Sequence, residues 1–331
     1  MSVVPTPASV GRSSGNLARR KAVNAIMLIL CILAAGLAIA VLGLVLYFLL
    51  SKGFSSLHLS LFTRMPDAVN TGQGGMAQSI FGTLVLLGVA SVIGLPFGIL
   101  GGIYQVEARG KFASTVRFFT DVLNGMPSIV IGIFAYAVVV VPIAAKAALE
   151  HKPPAGFSAY AGGFALGILM VPTVMRTTEE ILRLVPFSLR EASLGLGGTR
   201  WRTMWSVVLP AARGGVITGV MLALARIAGE TAPLLFTIMG NDLFQTHHVP
   251  VGGGHVRLGK HMIHLPAGHF TVPTLNAPID ALPLRIYNYS GDADLHHNAQ
   301  AWAAAVILIS LILILSVAAR FATRSNLQED K

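Results

Sequence analysis

Two small groups of ionisable residues lie in apolar surroundings, where a charge is costly. Arg226 falls inside the apolar stretch of residues 214–240, and Glu230 follows it by four positions. A continuous helix would put both on one face, where each partly neutralises the other. Near the centre of a bilayer a charge costs about 2.5 to 3.5 kcal/mol on insertion scales, so such residues mark function or tight structural pairing. Arg176, Glu179 and Glu180 close an earlier apolar stretch in the run RTTEE, again at i+3 and i+4 spacings. Two roles fit these residue types: buried ion pairs that hold helices in register, or a charged lining for the passage of an ion. No Ser-His-Asp or Cys-His arrangement falls on matched elements, so nucleophilic catalysis is not expected.

The elements that must position these charges are membrane helices. The chain has 331 residues, 54% of them hydrophobic and only 11% charged, whereas a soluble domain carries about 25% charged residues. Six apolar spans are expected, at residues 22–51, 76–106, 121–145, a fourth ending near 175, 214–240 and 299–319, each near the roughly 20 residues a bilayer core requires. Pro127 is expected to kink or start a helix in the third, and the fourth is glycine-rich, as closely packed membrane helices are. The formal net charge is +10, but the basic residues flank the spans. Sixteen of the 24 fall in segments that this topology places in the cytosol and seven in external ones, leaving Arg226 alone in a span. That distribution is membrane topology with both termini cytoplasmic, and it argues against nucleic-acid binding. Residues 1–20, rich in Ser, Pro, Gly and Arg, read as a disordered cytosolic tail. The single cysteine, Cys31, excludes an intrachain disulfide and reads as a small buried hydrophobe.

Between the fourth and fifth spans lies the polar, basic segment SLREASLGLGGTRWRTMWSVVLP, residues 188–210. Ser188 and Glu191 have the spacing of a capping box, and Gly197 with Gly198 supplies a helix stop. A short capped helix here has two readings: an interfacial helix anchored by Trp201 and Trp205, or an element held by another protein. Glu191, Ala192, Ser193, Gly197, Val207, Leu209 and Pro210 are similar to the EAA-x3-G-x9-I-x-LP loop of ABC importer permeases, with Ser193 for the second alanine and Val207 for isoleucine. The resemblance implies that the helix docks on a separate ATPase through Glu191, Ala192, Gly197, Leu209 and Pro210.

Three motifs narrow the resemblance: GMPSIVIG at 125–132, RTTEEILRLVPFSLREAS at 176–193 and ARIAGETAPLLFT at 225–237. Together they resemble PstA, the A-type membrane subunit family of phosphate ABC importers, over residues 76–320. That resemblance implies an all-α polytopic membrane protein with six transmembrane helices and a type I ABC importer permease core, in a bacterial inner membrane. It implies a PstC-like permease, PstB-like ATPase subunits and a PstS-like external binding protein as partners, with lipid around them. Arg176, Glu179 and Arg226 match family positions associated with phosphate passage, and Glu230 joins them here on spacing alone. No metal or cofactor is expected, and ATP hydrolysis falls to the partner subunit. A permease for sulfate or molybdate, and a membrane component of phosphate sensing, are the alternatives.

Residues 242–276 depart from that family as an external insertion. The loop between the last two spans, residues 241–298, carries eight of the ten histidines, at 247, 248, 255, 261, 264, 269, 296 and 297. Histidine clusters can bind zinc or copper, but no cysteine or regular ligand spacing accompanies these, and a solvated insertion is expected. The run from Gly254 to Lys260 fits G-x4-G-K, yet His261 stands where a P-loop needs Ser or Thr, with neither strand before it nor helix after it evident.

Overall fold

The computed structural model describes residues 14–66, 74–108, 110–151, 155–241 and 275–325, with the strand backbones at 246–251, 255–258, 261–264 and 268–273. Residues 1–13, the turn formers at 67 and 71–73 and the C-terminal Lys331 lie outside them. The chain divides into two units, Met1–Lys52 and Gly53–Lys331.

The first unit is built on α1 (Ser14–Ser55), which begins inside the stretch expected to be tail. None of its apolar window is buried. Cys31, expected to be buried, is therefore exposed.

In the second unit the elements follow as α2 (Ser60–Thr63), α3 (Ala77–Glu107), α4 (Lys111–Gly125), α5 (Ser128–Ala135), α6 (Val141–Leu149) and α7 (Ala159–Arg183), then α8 (Phe187–Gly195), α9 (Arg200–Thr203), α10 (Leu209–Ala228), α11 (Ala232–Thr237), α12 (Leu282–Ser290) and α13 (Leu295–Ser325). Single π turns, Tyr136–Val140 and Met204–Val208, join α5 to α6 and α9 to α10. Each π turn ends two residues before a proline, Pro142 or Pro210. Proline donates no N–H and clashes with the carbonyl four residues back, so a wider turn lets the helix continue.

Among the described residues six helices are long and apolar enough to cross a membrane: Leu17–Ser55, Ala77–Glu107, Ser128–Leu149, Ala159–Arg183, Arg200–Ala228 and Leu295–Phe321. The fifth differs from its expected bounds of 214–240. It starts earlier because Thr199 caps it, its hydroxyl accepting from Arg202 N–H at 3.3 Å. It ends earlier because the helix stops at Ala228, with Gly229 as its C-cap, and the chain restarts as α11. The third starts at Ser128, where Pro127 holds an extended ψ of 134° as N-cap.

The centre of this unit is α3 packed on α7. Gly94, Gly98 and Gly102 recur every fourth residue on α3, where an added Cβ would meet Met170, Val174 and Thr178 of α7 at 2.6–2.8 Å. Small residues at this period let membrane helices approach closely enough for dispersion to hold them. Leu86, Ala90, Leu166, Met170, Ala223, Ile227 and Leu234 form the core around this contact.

The segment after α11 turns back on itself. Met239 and Gly240 take φ values of 66° and 75°, and Met239 bridges Ile279 in parallel. Asn241 Nδ2 donates to the Pro278 carbonyl at 3.2 Å, so the two stems of the insertion lie side by side. Between them the described backbone forms two antiparallel ribbons, β1 (Thr246–Val251) with β4 (Gly268–Pro273) and β2 (His255–Leu258) with β3 (His261–His264). The insertion thus carries short ribbons beside an otherwise helical chain. A strand does precede the G-x4-G-K run, but β2 pairs back on β3 with Leu258 opposite His261, where a P-loop would begin a helix.

Beyond the insertion a buried polar network holds α3 to α12. Arg285 donates to Asp280 Oδ2 from Nε at 2.8 Å and pairs through Nη2 at 2.7 Å, and Ser79 Oγ donates to the same oxygen. Burial pushes the Asp280 carboxyl up, against the opposing pull of Arg285. The Leu282 N–H donates to Thr83 Oγ1 at 2.9 Å.

Candidate functional site

The four charges singled out in the sequence fall in two tiers. The first lies at the end of the bundle that carries α8. There Arg176 Nε donates to Glu180 Oε1 at 2.8 Å, the expected i+4 pair, and its Nη1 reaches Asp121 of α4 at 3.5 Å. Arg176 and Glu180 are about half exposed, at 45% and 59% of their side chains, so this pair contributes little to stability and leaves the guanidinium accessible.

Glu179 differs from its neighbours, since its side chain is 3% exposed. Its Oε1 accepts from Arg117 Nη2 at 2.9 Å and from Arg183 Nη2 at 2.5 Å, while Oε2 has no hydrogen-bond partner among the described residues. Burial of a carboxylate requires such pairing. The two arginines that secure it are themselves 38% and 55% exposed. Glu179 therefore anchors a cationic surface and does not itself form that surface. Sequence reasoning missed both arginines as part of this site. Arg183 was legible, standing four residues after Glu179, whereas Arg117 lies on α4 and only the fold brings it in.

Arg226 forms the second tier. Gly219 of α10 packs against Thr177 of α7, and Arg226 lies seven residues further along α10. At 1.5 Å per residue that is about 10 Å along the helix from the level of Arg176. The structure therefore does not bring the four charges into one cluster. Nor does it put Glu230 on the face of Arg226, because α10 ends at Ala228 and Glu230 lies in the break before α11. Among the described residues neither joins an ion pair. Arg226 is exposed on this chain and Glu230 half-buried. Among the described residues the expected mutual neutralisation is therefore absent, and Arg226 has no carboxylate partner.

The segment of residues 188–210 also differs in detail from its expected form. Pro186 is the N-cap of α8 and makes no side-chain cap, so Ser188 lies inside the helix and the capping box does not form. The stop is as expected. Gly197 N–H donates to the Leu194 carbonyl at 2.9 Å and Gly198 N–H to the Ser193 carbonyl at 3.0 Å, the paired bonds of a Schellman motif, with Gly197 at φ +84°. Glu191, Ala192 and Gly197 are exposed, and Leu196 is 91% exposed. Leu209 and Pro210 begin α10 at the end of its π turn. Trp201 and Trp205 share a face, with rings edge to face at 5.5 Å.

Residues 94–248 match the family model of binding-protein-dependent transport system inner membrane components. The phosphate transport system permease protein PstA of Yersinia pestis is 38% identical over 83% of this chain and 81% of its own length. The chain belongs to the PstA family. The PstA protein of Haemophilus influenzae is 35% identical over 91% of this chain and 94% of its own. Among solved structures, a bacterial alginate ABC transporter in complex with its alginate-bound periplasmic protein aligns with a TM-score of 0.54 at 13% identity, covering 95% of this chain and 98% of that one. At that identity the likeness concerns the fold, which is that of type I ABC importer permeases. The chain is thus a multi-pass membrane permease subunit, as its PstA relatives are named.

Proposed function

We propose that this chain forms half of the translocation pathway of an ATP-driven importer of inorganic phosphate, with Arg176, Glu179, Arg226 and Glu230 serving the pathway. The observation that carries the proposal is Arg226, a guanidinium in an apolar span without a carboxylate partner among the described residues. An arginine so placed attracts an anion, and phosphate is the cargo in the names of the PstA relatives. A homologous PstC-like subunit supplies the other half of the pathway, a PstS-like protein delivers phosphate outside, and PstB-like ATPases hydrolyse the ATP. Both termini and α8 face the cytosol, in keeping with the basic residues that flank the spans. Alternating access follows when the ATPases close and reopen, moving α8 and the helices attached to it. The test is uptake of labelled phosphate by vesicles holding the assembled complex, with unlabelled sulfate or molybdate as competitor. Uptake that either ion suppresses at the phosphate concentration would favour another oxyanion, and ATP turnover without uptake would favour sensing.

Gly197→Asp should insert normally yet lose coupling. Nothing lies within 4 Å of its Cβ position, so the side chain meets no clash, while the left-handed backbone itself costs about 1 to 2 kcal/mol. The larger effect is a new charge on the exposed face that meets the ATPase. ATP hydrolysis and phosphate uptake at parental rates would refute the docking role of Gly197. Removing residues 246–273 behind a short glycine linker should leave assembly and uptake intact, because Asn241 and Pro278 already hold the stems together. Leu275 must stay. It packs against the main core, and its carbonyl accepts from Tyr160 N–H at 3.3 Å, so the insertion is narrower than the expected 242–276. Loss of uptake in a well-assembled deletion would make the ribbons functional.

A further inference from the structure

We infer that Arg190 is a positioning residue that locks α8 to the ends of α3 and α7, so that the three move as one body. The inference rests on the coupling role proposed for α8 and adds the residue that carries the load. No residue of α8 is fully buried, and its apolar residues Phe187, Leu189 and Leu194 stay 67%, 42% and 42% exposed, so apolar packing holds it to the bundle only weakly. Polar links fix it. Ser193 Oγ shares a hydrogen bond with Thr203 Oγ1 at 2.8 Å, which ties α8 to the start of the fifth span.

Arg190 ties it to two others. Its Nη1 donates to Glu107 Oε1 at 2.9 Å, and its Nη2 donates to the Leu182 carbonyl at 3.0 Å. Glu107 is the last residue of α3, and Leu182 is the last but one of α7. Carbonyls in the last turn of a helix lack an intrahelical donor and carry partial negative charge, so a cation held there is favoured. One planar guanidinium thus bridges two helix ends from a third. The ion pair is sheltered, with the Arg190 side chain 15% exposed and that of Glu107 30%. The two line a cleft of about 150 Å³ with Phe187, Leu194, Arg200 and Thr203. Lysine could satisfy one acceptor at a time but lacks the fork that reaches both. Because α3 and α7 form the packed centre of the bundle, any displacement of α8 that Arg190 transmits reaches the helix that bears Arg176 and Glu179.

The test uses the assembled complex in a Cys31→Ser background. Spin labels at Tyr104→Cys on α3 and Ser188→Cys on α8 report their separation with and without ATP, whatever ion is carried. One narrow separation common to both states is expected, giving way to a broad distribution in Arg190→Ala. A separation that changes with nucleotide in the parent, or stays narrow in Arg190→Ala, would overturn the inference. In transport assays the ATP hydrolysed per phosphate imported should rise about tenfold in Arg190→Ala, within the range of coupling between sites. Arg190→Lys should recover part of it. A merely destabilised complex lowers hydrolysis and uptake together, so an unchanged ratio would also refute the role. A parent complex that hydrolyses ATP without importing phosphate would refute the cargo and leave the label separations to judge Arg190.

Discussion

Arg226→Gln is expected to assemble with its partner subunits and to lose phosphate uptake by about thirtyfold or more, since removing one charge-assisted contact to a bound anion costs about 2 to 5 kcal/mol. Had Arg226 and Glu230 formed a buried pair, the single substitution would leave an uncompensated carboxylate and harm assembly. The break at Gly229 separates them, and Glu230 is half-buried outside α10. Arg226→Gln alone and Arg226→Gln with Glu230→Gln should therefore assemble equally well. Arg226→Lys should restore part of the transport, because a point charge attracts phosphate without gripping two of its oxygens. Gel filtration and labelled phosphate uptake on the same preparations separate assembly from passage.

Arg285→Leu should have the largest effect on stability, about 3 to 5 kcal/mol, through the Asp280 carboxylate that it strands. The Asp280 side chain is 0% exposed and that of Arg285 7%. Ser79 also relies on this carboxylate. Replacing the pair together, Asp280→Leu with Arg285→Met, should recover most of the loss, since a buried ion pair removed as a unit is often neutral. The measurement is the thermal midpoint of the detergent-solubilised complex. A single variant as stable as the parent would show that the pair does not hold α12 to α3.

Much of the bundle was legible because span length and charge flanking follow from the cost of placing polar groups in lipid. The close packing of the glycine-rich fourth span and the Gly197 stop were legible for local reasons of size and backbone, whereas the glycine stripe of α3 went unread. What failed was the continuity of helices. Residues 214–240 read as one apolar run, and apolarity alone cannot show that Gly229 ends a helix or that Pro210 can sit inside one behind a π turn. The Arg226 and Glu230 pairing was lost with that error, as the i+4 rule holds only within an unbroken helix. Ser188 and Glu191 fit a capping box, but Pro186, fixed in φ, starts α8 ahead of them. Asp280 with Ser79, and Glu179 with Arg117, join residues far apart in the chain, and no local pattern announces such contacts.

The most direct measurement of the central claim is ATP-dependent accumulation of labelled phosphate inside vesicles holding the complete complex, parent and Arg226→Gln side by side. The expected result is accumulation above the outside concentration in the parent and none in the variant at equal assembly. Equal accumulation in both would contradict a role for Arg226 in the pathway, and no accumulation in an assembled, ATP-hydrolysing parent would contradict phosphate import itself.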